Sequence, residues 1–114
     1  MRKFRTLHFY DEGFVNFIRS QPLAIQIKFD KVFRYVQEID PIPMQYFKKI
    51  QNAPGLFEVR FRLGTKTWRA FCFFEKGNVI VVLNGYMKKD QKTSAHEIKR
   101  ALKLKNEYYE KGKK

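Results

Sequence analysis

The chain has 114 residues, 44% of them hydrophobic and 12 of them phenylalanine, with a formal net charge of +13. That is apolar material for one core, too little for two domains and too much for a disordered tail. The basic excess points to nucleic acid, an acidic protein or anionic lipid. Lipid is the weakest of the three, since no run approaches the roughly 18 apolar residues of a spanning helix.

Met1 to Arg5 do not lead into the apolar core of a secretion signal. Cys72 is the sole cysteine, so no intrachain disulfide or thiolate metal cluster is expected, and a reducing cytoplasm fits best. Up to Leu56 there are 9 basic and 5 acidic residues, and after it 15 and 6, so the charge gathers in the second half.

In chain order, Lys3 to Tyr10 reads as an N-terminal strand. Asp11 is placed to cap a helix carrying Phe14, Phe17 and Ile18, which Gln21-Pro22 interrupts. From Leu23, the stripe Ile25, Phe29, Val32, Phe33, Val36 predicts an amphipathic helix that ends before Asp40-Pro41-Ile42-Pro43. Met44 to Ile50 is expected as a short turn of helix, and Asn52-Ala53-Pro54-Gly55 as a loop.

Leu56 to Tyr86 reads as an antiparallel meander of three strands, turning at Gly64-Thr65 and at Lys76-Gly77-Asn78. An even-length first turn sets Phe61 opposite Trp68 and Arg60 opposite Arg69. One face then carries Phe57, Val59, Phe61, Trp68, Ala70 and Cys72 as core, and the other Arg60, Arg62 and Arg69. Like charges directly opposed on a sheet repel, and an anion between them relieves the cost. The same parity adds Asn84 and Tyr86 to the arginine face, with Lys88 and Lys89 just beyond the strand. It also puts Phe71, Phe73, Ile80 and Val82 there, so that part of the face needs a cover. Ser94-Ala95-His96-Glu97 has the form of a capping box opening a last helix with Ile98, Ala101, Leu102 and Tyr109 on one side; the tail from Glu110 is expected to fray.

Arg60, Arg62, Arg69, Lys88, Lys89 and Lys92 read as a phosphate site, because guanidinium forks match phosphate oxygens and lysines balance charge developing on phosphorus. The plain alternative is a solvated basic strand. Tyr86 can stack on a base or serve the core, His96 can act as acid or base or simply lie on the surface, and Cys72 on the core face reads as inert. No Gly-rich phosphate loop, metal-ligand spacing or paired nucleophile is present, so an enzyme built on this chain would work without metal or other cofactor.

The run LFEVRFRLGTKTWRAFCFF, the turn Gly85-Tyr86-Met87-Lys88-Lys89, and Gln91-Lys92-Thr93 before an Ala-x-Glu-Ile helix at Ala95 to Ile98 resemble the RelE/ParE toxin superfamily, in its HigB-like, phage Gp49-related branch. The resemblance covers roughly Phe47 to Tyr109. It implies a compact α+β fold over 1–114 as a single domain: an antiparallel sheet, N-terminal helices packed on one face, and a C-terminal helix. It also implies a type II toxin that cuts messenger RNA in the ribosomal A site without metal, by attack of the ribose 2′-hydroxyl to leave a 2′,3′-cyclic phosphate.

Carried over by position, Arg69 would hold the scissile phosphate, Arg60 and Arg62 would stabilise charge or assist proton transfer, and Lys88 and Lys89 would balance the leaving oxygen. His96 falls near a position where relatives place an aromatic or histidine, with Asn84, Tyr86 and Lys92 as RNA contacts. The chain departs from the pattern at Asn84, where relatives carry histidine, and at Ser94, where they carry proline. Asparagine cannot shuttle a proton, which leaves that work to the lysines. A cognate antitoxin, acidic or of helix-turn-helix type, is the implied partner, and operator DNA is reached only through the complex. A gyrase-inhibiting relative of the same fold and a non-catalytic RNA-binding module stay open as alternatives.

Overall fold

The computed structural model describes residues 3–88 and 95–112. They form a compact α+β domain in the order β1 (Thr6–Phe9), α1 (Glu12–Arg19), α2 (Leu23–Glu38), β2 (Phe47–Lys49), β3 (Phe57–Leu63), β4 (Lys66–Lys76), β5 (Val79–Lys88) and α3 (Ala95–Gly112). The five strands lie in the order β1-β5-β4-β3-β2. The meander β3-β4-β5 is antiparallel as expected, while β1 joins β5 in parallel, which makes the sheet mixed.

Local chemistry explains the elements. Asp11 caps α1, its carboxylate accepting from the Gly13 N–H at 2.9 Å. Pro22 lacks the N–H a helix interior would use and stands at the start of α2. Arg5 ties β1 to the other end of α2: its Nε donates to the Val36 carbonyl at 2.7 Å, another guanidinium nitrogen donates to the Ile39 carbonyl, and a third meets Asp40 at 3.1 Å. These are carbonyls at the end of a helix, where a cation is favoured.

Met44 to Ile50 corrects the sequence expectation. Met44–Tyr46 form a hydrogen-bonded turn, not helix, and Phe47–Lys49 is an edge strand on β3. Tertiary packing decides this, because Phe47 stacks on Phe57 at 5.1 Å and lies edge-on to Phe74 at 6.0 Å, contacts that a helix would forfeit. The last helix also departs from expectation, running through Glu110 to Gly112 where fraying was predicted. Ser94 of the expected capping box lies outside the described residues.

Each face of the sheet has its own core. On the first, Phe14 of α1 and Ile25, Phe29, Val32, Phe33 and Val36 of α2 pack on Val59, Phe61, Trp68, Ala70 and Cys72, as the alternation predicted. On the second, Ala101, Ile98, Leu102, Leu104 and Tyr108 of α3 cover Phe71, Phe73, Val81 and Leu83. Fully buried rings such as Phe14, Phe29, Phe71 and Phe73 each contribute about 1.5–3 kcal/mol.

Ile80 and Val82 lie in the first core, not on the arginine face. The register explains the correction: Ala70 pairs with Gly85 but Cys72 with Val82, so β5 spends one residue more than β4 across this step. That bulge reverses the side-chain parity of β5. Ile80 and Val82 therefore serve one face and Tyr86 the other. Among the described residues no helix is long and apolar enough to cross a membrane.

Candidate functional site

The second face carries the charge in three rows across the strands. Lys48 of β2 pairs with Glu58 of β3, which pairs with Phe71 of β4. Arg60 pairs with Arg69, and Arg69 with Tyr86. Arg62 pairs with Thr67, and Thr67 with Lys88. The predicted opposition of Arg60 and Arg69 is present.

What lies between those arginines is a carboxylate of the chain itself. Glu58, 1% exposed, holds Arg69, 3% exposed, with one guanidinium nitrogen 2.8 and 2.7 Å from its two oxygens. Arg60 approaches the same carboxylate at 3.9 Å and is 30% exposed. Glu58 orients one arginine firmly and the other loosely. The guanidinium of Arg69 is thereby preset and that of Arg60 left adaptable.

These residues line a cavity of about 560 Å³ with Lys48, Lys49, Gln51 and Ile98. Among the described residues, four cations and one carboxylate line it; Lys48 pairs with Glu58 and Lys49 with Phe57. Sequence reasoning missed Glu58, Lys48, Lys49 and Gln51. Glu58 was visible as an acidic residue alternating with arginines, and the Lys48-Lys49 pair was hidden by reading its stretch as helical.

The remaining predicted residues separate into groups. Arg62 is exposed and its Nε donates to the Gly64 carbonyl at 3.2 Å, folding it toward the hairpin. Tyr86 is 9% exposed beside the Phe71 ring, 5.7 Å between centroids, and Lys88 is half-buried in the third row. Asn84 is buried in the β5 bulge, donating from Nδ2 to the Glu97 carbonyl and carboxylate at 3.2 Å each. It ties β5 to the first turn of α3. His96 is exposed on α3, in a shallow groove with Lys99, Arg100 and Lys103, and does not line the arginine cavity. Lys89 and Lys92 lie outside the described residues.

Cys72 is fully buried, and burial first, then the nearby Glu58 charge, pushes its thiol far up from the ordinary range. That fits an inert core thiol. Among the described residues no group of three or more His, Cys, Asp or Glu side chains converges as metal ligands would.

The family of phage-derived Gp49-like proteins (DUF891) matches residues 16–106. The chain belongs to that family. Gp49-like proteins fall in the RelE/HigB-like group of toxin–antitoxin toxins, and membership supports a cognate antitoxin as partner. The match takes in α2, the whole meander and most of α3, and with them every row of the basic face. No curated protein matches the chain at a significant level.

Proposed function

We propose that this Gp49-like protein is a toxin that cleaves messenger RNA at the ribosomal A site, as a metal-independent endoribonuclease restrained by its antitoxin. The observation that carries the reading is the cavity in which Arg60 and Arg69 stand side by side with a surplus of positive charge. A gyrase inhibitor working by protein contact has no need of converging guanidinium groups beneath an open cavity. A basic RNA-binding module does, and cleavage distinguishes it.

In this mechanism the scissile phosphate enters beside Arg60 and Arg69. The 2′-hydroxyl of the upstream ribose gives its proton to solvent water and attacks phosphorus, the bond to the 5′-oxygen of the next nucleotide breaks, and that oxygen takes a proton from a lysine ammonium. The products are a 2′,3′-cyclic phosphate and a free 5′-hydroxyl. Arg60 and Arg69 stabilise the charge on the phosphorane oxygens, in a site partly screened from water where such contacts are strong. Proton delivery to the leaving oxygen belongs to Lys88 and Lys89, since Asn84 carries no exchangeable charge and is spent on Glu97. Tyr86 closes the row beside Arg69 on its β5 side, packed against the Phe71 ring.

The test is tightly controlled expression of the wild type, Arg60→Ala and His96→Ala, with RNA 5′ ends mapped in the same cultures. Arg60 is partly exposed and its ion pair long, so its removal should cost less than about 1 kcal/mol of stability. The expected outcome is in-frame cuts in translated messages for wild type and His96→Ala, reduced about 10²–10³-fold in Arg60→Ala. Growth arrest without new 5′ ends, accompanied by DNA damage, would transfer the protein to the gyrase class.

A further inference from the structure

The chemistry above uses only part of the cavity. Lys48 and Lys49 sit on β2, a three-residue strand at the open edge of the sheet, and both line the same cavity as Arg60 and Arg69. In the row Lys48–Glu58–Phe71, Glu58 and Phe71 are buried while Lys48 is exposed, so that row can be reached only at its β2 end. Ile98 of α3 forms the opposite wall. A polymer lying in the Arg60 row must therefore leave along the edge of the sheet.

We propose that Lys48 and Lys49 form a backbone-phosphate subsite for single-stranded RNA, with the strand running along the β3–β2 edge from Arg62 past Arg60 to the two lysines. The inference rests on the ribonuclease reading and adds the path its substrate takes. Three observations carry it. A single phosphodiester would leave the four cations of the cavity in surplus over Glu58, and further phosphates balance them. The Lys48 row is two residues from the Arg60 row, about 7 Å along the strands, within reach of the neighbouring phosphate. A cavity of about 560 Å³ has the dimensions of a small-molecule site, which admits one strand and not a duplex. Lys48 and Lys49 are positioning residues here, since neither borders the reacting atoms.

The experiment measures anisotropy of a labelled 2′-O-methyl oligouridine, which lacks the attacking hydroxyl, as the full chain is titrated over a series of KCl concentrations. Wild type is compared with Lys48→Gln/Lys49→Gln and with Lys99→Gln/Lys103→Gln, a control of equal charge change on the outer side of α3. All four side chains are exposed, so both variants should fold. The log–log salt slope should fall by about 0.7 to about 1.4 in the β2 pair, one or two phosphates' worth, and stay unchanged in the control. On unmodified message carried by translating ribosomes the β2 pair should raise KM and leave kcat unchanged. An unchanged slope in the β2 pair, or an equal fall in the control, overturns the subsite. If the lysine-dependent slope is present but wild type cuts no message on translating ribosomes, the subsite stands and the ribonuclease reading fails. If wild type does not bind the oligonucleotide, the subsite fails, and the ribonuclease reading is decided by cleavage on ribosomes.

Discussion

Replacing Arg69 by methionine tests whether the buried pair with Glu58 organises this face. The two side chains are 4% and 1% exposed, so the substitution strands a carboxylate in the interior with Arg60, 3.9 Å away, the one remaining ion-pair partner among the described residues. Breaking such a pair costs about 3–5 kcal/mol. A domain of this size holds about 5–15 kcal/mol in total and loses about 4 °C of Tm per kcal/mol, so Tm should drop by about 12–20 °C. Glu58→Leu/Arg69→Met removes both charges and should recover most of the loss, because apolar residues of similar volume commonly replace a buried ion pair without penalty. Thermal unfolding followed by far-UV circular dichroism on the wild type, both single variants and the double variant measures the coupling. A loss under about 1 kcal/mol for Arg69→Met, or a double variant no more stable than that single one, would refute the reasoning. The result also decides how toxicity data are read. An Arg69 variant can lose activity by unfolding, whereas Arg60 reports on chemistry.

Gly85 and Cys72 offer independent checks on the sheet. A Cβ at Gly85 would stand 2.6 Å from Cε1 of the buried Phe14 and 2.9 Å from the Phe17 ring, so Gly85→Ala should cost about 1–3 kcal/mol, read as a lower denaturation midpoint at unchanged m-value. Cys72 should resist a thiol reagent until the chain unfolds. Because the folded thiol keeps its proton where the unfolded one releases it, stability should fall as pH rises above the ordinary thiol range, by up to about 1.4 kcal/mol per pH unit from this group. Denaturation at about pH 8 and about pH 10 should show a shallower decline for Cys72→Ala than for wild type.

The parts of this molecule legible in its sequence are those governed by short-range periodicity. The stripe from Ile25 to Val36, the Asp11 cap and the Phe61–Trp68 register all follow from spacing and turn length, and all are present. The bulge at Leu83 and Asn84 was not legible, because parity counting assumes that paired strands advance in step, and it misplaced Ile80 and Val82. The strand at Phe47–Lys49 was hidden for a related reason: three residues carry too little pattern, and only the distant rings of Phe57 and Phe74 make it a strand. In the site, the arginines were visible as charges on one face. The partnership of Arg69 with Glu58 depends on α3 and the Ile50–Leu56 loop burying that part of the face, which no alternation pattern states.

Arg5 bears on where the domain can be cut. The family match begins at residue 16, yet β1 lies wholly before it and is joined on three sides to elements later in the chain. Thr6–Phe9 satisfy the outer edge of β5, Phe9 stacks on Phe14 at 5.4 Å, and Arg5 gathers the last carbonyls of α2. A fragment trimmed to the family boundaries would bare a strand edge rich in valine and isoleucine, an invitation to pair with another chain. The unit that folds is therefore larger than the unit that is recognised, and its N-terminal strand belongs to the scaffold that holds the basic face in place.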